Sequence, residues 1–221
     1  MKTVYRILFI DEEIDAIDEF KDYADETTTS TQIQIIDEFP LPTLDEMIET
    51  IIEINPDAII TDFMLNEKKT SVRYGVEYNG IDLVKKFTSI RDGFPCFVMT
   101  SFDDDAVKES DDVNIIYIKD ILHSEKNSNV KASFLEKVVN QITHYQVRLH
   151  KSEEELKRLI ECRRLGNTTI IEENRIIELD HFLEQSVDRL SSIPKEFKTL
   201  SNTQKLEEIL SKVDELLSKI K

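Results

Sequence analysis

Polar residues follow directly on four short runs of β-branched and aromatic residues, and this recurrence constrains the chain more than any other feature. Val4-Tyr5-Arg6-Ile7-Leu8-Phe9-Ile10 ends on Asp11-Glu12, and Asp57-Ala58-Ile59-Ile60-Thr61 ends on Asp62. Pro95-Cys96-Phe97-Val98-Met99 ends on Thr100, and Ile115-Ile116-Tyr117-Ile118 ends on Lys119. Gln32 to Ile36 reads as a further short strand. Between them, Ile14, Ile17 and Phe20 recur at helical spacing, as do Ile81, Leu83, Val84 and Phe87. Thr43 is placed to cap a helix carrying Leu44, Met47, Ile48, Ile51 and Ile52, which stops at Asn55-Pro56. Near-continuous apolar strands separated by amphipathic helices predict an α/β fold, a doubly wound five-stranded parallel sheet covered on both faces.

In open sheets of this kind, ligands bind at the carboxyl ends of the strands. Carboxylates, a hydroxyl and an ammonium group are expected to converge there. Clustered carboxylates repel, and a hard divalent cation such as Mg²⁺ relieves that repulsion while keeping room for phosphate oxygens. A carboxylate is also a nucleophile toward phosphorus. A lysine, a hydroxyl and a metal together suit the charge that spreads over a transferring phosphoryl group.

With these residues in place, the chain resembles the receiver domain of bacterial response regulators. The stretches that carry the resemblance are ILFIDEE, PDAIITDFML, NGIDL, FPCFVMTS and IIYIKD, in order over roughly residues 4–140. The resemblance implies a flavodoxin-like receiver fold. Asp11 and Glu12 would hold Mg²⁺, and Asp62 would be both phosphoacceptor and metal ligand. The main-chain carbonyl of Met64 would complete the protein ligands. Thr100 would contact the phosphoryl group, Lys119 would pair with one of its oxygens, and Tyr117 would be the aromatic that changes rotamer on activation. The donor would be a histidine kinase or a phosphotransfer protein within a phosphorelay. Such a chain is not an enzyme beyond its own phosphorylation and dephosphorylation. The apolar Met64 and Phe102 stand at positions that, in the family, set how readily water reaches the phosphorus.

Three departures stand out. Glu12 occupies a position where aspartate is commoner, and Asp120 follows Lys119 where the family usually has proline. The interval from Asp62 to Gly80, the residue that matches the family's loop glycine, is longer than usual. An insertion therefore lies within residues 66–79, bringing Lys68, Lys69, Arg73, Tyr74 and Tyr78 near the pocket, either as a surface loop or as a partner-contact element.

From Lys131 onward strand signals vanish. Leu135, Val138, Ile142, Tyr145, Leu149, Ser152, Leu156 and Leu159 follow a heptad seam, and Gly166-Asn167 is a plausible stop. A second helix is expected to carry Ile176, Leu179, Leu183, Val187 and Leu190, and a third Leu206, Leu210, Val213, Leu217 and Ile220. The expected organisation is a receiver domain over 1–130 and an all-α or coiled-coil extension over 131–221, folded on itself or zipped as a homodimer.

Charge narrows the partners. The net charge of −17 lies wholly in residues 1–124, while residues 125–221 are balanced. Neither part offers the basic field that dominates nucleic-acid affinity, so no DNA is expected. Lys157, Arg158, Arg163 and Arg164 interleave with Glu153, Glu154, Glu155 and Glu161, the pattern of a salt-bridged helix face. The apolar run Ile7 to Ile10 is too short for a membrane span or a signal sequence, and two distant cysteines fit a reducing cytoplasm. The output expected is a protein effector met through the helical tail. The competing expectations are a cryptic DNA-binding output, an aspartate-dependent phosphatase, and a degenerate receiver serving as a constitutive scaffold. Asp62-Phe63-Met64 lacks the second acid that such phosphatases carry.

Overall fold

A computed structural model describes residues 4–27, 32–66, 72, 74–101, 113–124 and 133–198. In chain order these form β1 (Val4–Ile10), α1 (Ile14–Glu26), β2 (Gln32–Glu38), α2 (Leu44–Ile54), β3 (Ala58–Asp62), α3 (Gly80–Ile90), β4 (Cys96–Thr100), β5 (Ile116–Ile118), α4 (Ile121–Ser124), α5 (Phe134–Arg164) and α6 (Ile170–Asp188). Local chemistry sets several boundaries. Thr43 caps α2 as the sequence predicts, and Glu46 completes a reciprocal capping box with it. That helix ends at Asn55, which takes a left-handed conformation (φ 49°) immediately before Pro56.

The five strands are parallel in the order β2-β1-β3-β4-β5. This is the doubly wound, flavodoxin-like arrangement expected from the sequence. Every residue of β3 and β4 is buried, because the central strands are covered on both faces. One face packs against α1 and the start of α5. There Phe9 stacks on Phe20 at 4.2 Å between ring centroids, and Phe97 meets Phe134 edge-on at 6.0 Å. Ile7, Ile60, Met99, Leu135, Val138, Val139 and Ile142 complete this core. Leu8, Ile10 and Ile59 alternate to the opposite face and are fully buried, as are Met47 and Ile51 of α2 and Leu83 and Phe87 of α3.

The described residues divide into two compact units, 4–89 with 93–146, and 90–92 with 147–198. The first reaches beyond the boundary at residue 130 that the sequence suggests. Phe134, Leu135, Val138, Val139 and Ile142 of α5 lie in the sheet core, and each such buried side chain contributes about 1.5–3 kcal/mol. The opposite end of the sheet is tied to α5 as well, since Gln146 Nε2 donates to Asp57 Oδ1 at 3.1 Å.

In the second unit, the later part of the α5 seam continues through Leu156 and Leu159, which pack with Ile176 and Leu179 of α6. The helix stops where expected. Gly166 takes φ +72°, its N–H donates to the Arg163 carbonyl, and the Asn167 N–H donates to the Cys162 carbonyl. The seam expected on the second helix is only half realised. Ile176 and Leu179 are buried, but Val187 and Leu190 are exposed and Ile177 is buried instead. The mixed charges form the expected ion-paired surface, with Glu153–Lys157 and Glu161–Arg164 pairs and a two-bonded Arg175–Glu155 pair between helices. The third expected helix, over 201–221, lies outside the described residues. No described helix is long and apolar enough to cross a membrane.

Candidate functional site

Strand register delivers the polar residues to one edge. Ile10 pairs with Thr61, so Asp11 and Asp62 are the next residues on adjacent strands. Asp62 pairs with Met99 and Thr100 pairs with Ile118, which sets Thr100 and then Lys119 one step further along. All of these acids are withdrawn from solvent: Asp11 is 0 %, Glu12 3 % and Asp62 4 % exposed, and Thr100 is 1 % exposed.

Lys119 joins the acids. Its Nζ lies 2.6 Å from Asp62 Oδ1 and 2.9 Å from Asp11 Oδ2. Main-chain donors hold the remaining carboxylate oxygens: the Glu13 N–H donates to Asp11 Oδ1 at 2.9 Å, and the Met64 N–H donates to Asp62 Oδ2. The Lys119 N–H donates to the Thr100 carbonyl at 2.8 Å, which fixes the start of the lysine loop on β4. The peptide bonds of the described residues are trans, Lys119–Asp120 included.

Electrostatics follow from this packing. Burial pushes the Glu12 carboxyl up to about 8, and the charges of Asp62 and Asp11 add to it. Burial also raises Asp11, a shift that Lys119 opposes and Asp62 reinforces. For Lys119, burial favours the neutral amine, but Asp62 and Asp11 outweigh it and hold the ammonium well above its ordinary range.

The metal expectation meets a mixed picture. Glu12 Oε2 is buried with no hydrogen-bond partner, an orphaned oxygen beside two further carboxylates. That donor chemistry fits a hard cation, which would satisfy Oε2 and relieve the repulsion. Yet among the described residues no three His, Cys, Asp or Glu side chains are grouped as a ready-made metal cluster. Lys119 already stands between Asp11 and Asp62 as an internal cation.

The remaining predicted residues divide. Met64 borders the pocket through its main chain. Tyr117 points into the sheet domain, with its ring 4.7 Å from Phe134 and 6.0 Å from Phe97, and Lys137 Nζ 5.7 Å from its centroid. Phe102 lies outside the described residues. One contributor escaped the sequence, as did the physical role of another. The Glu13 amide carries no side-chain signal. Gly80 was matched by resemblance alone, and its physical role is steric: a Cβ there would fall 2.0 Å from the Asp62 carbonyl oxygen and 3.1 Å from Thr61 Cγ2. The Gly80 N–H also donates to the Phe63 carbonyl at 2.9 Å, joining the start of α3 to the end of β3.

No family model and no curated protein matches the chain. Among solved structures it is similar to the anti-anti-sigma factor PhyR from Bartonella quintana, with a TM-score of 0.43 and 13% identity over 69% of this chain and 53% of PhyR. The chain thus spans about half the length of that protein. It is also similar to the response regulator RcsB from Salmonella typhimurium, with a TM-score of 0.38 and 16% identity over 82% of this chain and 93% of RcsB. A complex of the two-component response regulator RcsB with DNA gives 0.36 and 15%, over 86% and 99%. Likenesses this weak carry no argument about function, and the fold rests on the strand order itself.

Proposed function

We propose that this chain is a phosphorylation-dependent signalling switch, an atypical response regulator that accepts a phosphoryl group on Asp62. The observation that supports it is the Lys119 ammonium bridging Asp62 and Asp11 at the carboxyl edge of the sheet, beside the orphaned Glu12 Oε2. A carboxylate oxygen of Asp62 attacks phosphorus as the bond from phosphorus to the donor breaks, giving an acyl phosphate. The Met64 N–H holds the other Asp62 oxygen, which fixes the plane of the nucleophile. Lys119 turns from Asp62 to a phosphoryl oxygen, so its charge follows the negative charge as it moves. The Thr100 hydroxyl, at the end of the adjacent strand, serves the same group.

Mg²⁺ would be held by Asp11, Glu12, Asp62 and the Met64 carbonyl, and when bound it supplies positive charge opposite the phosphoryl oxygens. The donor is a histidine kinase or phosphotransfer protein. The output is contact with a protein effector through the helical tail, with a homodimer as one form of that contact. The acidic charge of residues 1–124 favours protein over DNA as the partner. Incubation with a small phosphodonor and Mg²⁺ should add one phosphoryl mass, lost in Asp62→Asn. A parent chain that stays unlabelled removes this reading.

The second reading is a degenerate receiver acting as a constitutive scaffold or oligomerisation module. It is favoured by the closure of Lys119 on Asp62. The same labelling experiment separates the two.

A further inference from the structure

We infer that Tyr78, near the end of the inserted segment, is a positioning residue for Asp62. The inference rests on the phosphoacceptor reading for its consequence in rate, and on the packing alone for its structural part.

An insertion in a surface loop is expected to expose its side chains. Tyr78 instead is 3 % exposed, and the neighbouring Glu77 N–H donates to the Pro42 carbonyl at 3.3 Å. The end of the insertion is thereby fastened to the segment between β2 and α2. The Tyr78 hydroxyl is buried without a hydrogen-bond partner among the described residues. The Leu41 main chain lies near that hydroxyl. What anchors Tyr78 is its buried ring.

Two residues on stands Gly80, at most about 7 Å further along the chain. Gly80 touches the Asp62 main chain so closely that no Cβ fits between them, and its N–H is held by the Phe63 carbonyl. Any displacement of Gly80 is therefore passed to Asp62 and Phe63. From the α3 side, Gly80 is fixed by a reciprocal cap, in which the Asn79 N–H donates to Asp82 Oδ2 and the Asp82 N–H to Asn79 Oδ1. On the other side stand the buried Tyr78 and the Glu77 N–H bonded to the Pro42 carbonyl. The two anchors clamp the main chain whose next turn, through the Met64 N–H, orients the Asp62 carboxylate. In-line transfer is sensitive to that orientation.

The test compares the full chain with Tyr78→Phe, Tyr78→Leu and Tyr78→Ala. Two quantities are read: the initial rate of acetyl-phosphate labelling in Mg²⁺, and hydrogen-exchange protection of the Gly80 and Met64 amides against that of β1 and β4. Tyr78→Phe should label within about twofold of the parent and keep the parental protection of the Gly80 and Met64 amides. Tyr78→Ala should label about tenfold or more slowly. Its Gly80 and Met64 amides should lose protection while β1 and β4 keep theirs. If Tyr78→Ala does not fold, Tyr78→Leu, which keeps bulk without the ring, should show the same selective loss. Parental rate and parental protection in the folded variant overturn the inference. A parent that does not label defeats the phosphoacceptor reading instead, and the protection pattern alone then decides whether Tyr78 positions the Asp62 loop.

Discussion

Lys119 Nζ lies 2.6 Å from Asp62 Oδ1, so the proposed nucleophile is held by an internal cation. The pair is mostly buried, with Asp62 6 % and Lys119 25 % exposed at their side chains. Removing one partner of such a pair leaves an uncompensated charge in a poorly solvated site. Lys119→Met should therefore lower stability by about 2–4 kcal/mol, somewhat below the cost for a wholly buried pair because the lysine is partly solvated. Mg²⁺ should restore more stability to the variant than it adds to the parent, since the variant lacks its own cation. Chemical denaturation with and without Mg²⁺ checks both effects. Equal stability of variant and parent would mean that the lysine does not hold the acids together.

Glu12 bears on the same balance from the other side. Its buried Oε2 has no partner, and Asp11 and Asp62 lie close enough to repel it. Glu12→Gln keeps the shape and removes the ionisable group. The metal-free melting temperature should stay level or rise, while Mg²⁺ affinity should fall by about tenfold or more, a loss of roughly 1.4 kcal/mol or more. Calorimetric titration reads the affinity. A variant that binds Mg²⁺ as tightly as the parent would remove Glu12 from the metal site.

Gly80 has no side chain because the Asp62 carbonyl occupies that space. A methyl group at 2.0 Å from a main-chain oxygen cannot be absorbed by a rotamer change. Gly80→Ala should cost about 1–3 kcal/mol as overpacking and slow labelling of Asp62 at the same time. Thermal unfolding and the labelling rate, measured on one preparation, test the coupling. Destabilisation without a change in rate would show that the Asp62 loop adjusts independently of α3.

The strand ends were legible because a polar residue after an apolar run marks the point where a parallel strand leaves a doubly covered sheet. Asp11, Asp62, Thr100 and Lys119 needed only that pattern. The seam of α5 was legible in period but not in partner. Periodicity states which helix face is apolar, not what covers it, so Leu135 and Val138 gave no sign that they belong to the sheet core. Val187 and Leu190 continued a seam that the structure leaves exposed. Tyr78 was harder still, since Tyr74 and Tyr78 share that stretch and no period tells which of the two is buried. The main-chain bond beside Tyr78, from the Glu77 N–H to the Pro42 carbonyl, reaches more than thirty residues back along the chain.

The two thiols should differ sharply in reactivity. Cys96 sits in β4 at 5 % exposure, and burial raises its pKa far above the ordinary thiol range. Cys162 on α5 is only partly buried. The thiolate is the reactive form, so a neutral-pH alkylating reagent should modify Cys162 in the native chain and reach Cys96 only on unfolding. Mass mapping after timed alkylation reads the order. Early modification of Cys96 would place β4 at an exposed position and contradict the sheet order.

The lifetime of the phosphorylated state turns on water. Hydrolysis of an acyl phosphate needs a water molecule in line with phosphorus on the side away from Asp62. Asp62 is 4 % exposed, and Met64, two residues beyond it, is apolar, half-buried and bonded to Asp62 through its N–H. An apolar side chain obstructs water without orienting it, whereas an amide at the same position offers both a donor and an acceptor to hold it. The phosphorylated form should therefore persist well beyond seconds in Mg²⁺ without kinase or phosphatase. Met64→Asn should shorten its life by several-fold, approaching about tenfold or roughly 1.4 kcal/mol of barrier when combined with Phe102→Glu. The measurement is the decay of the phosphorylated mass with time. A parent half-life of seconds, or a decay rate indifferent to Met64→Asn, would mean that water reaches phosphorus by a route that does not pass Met64.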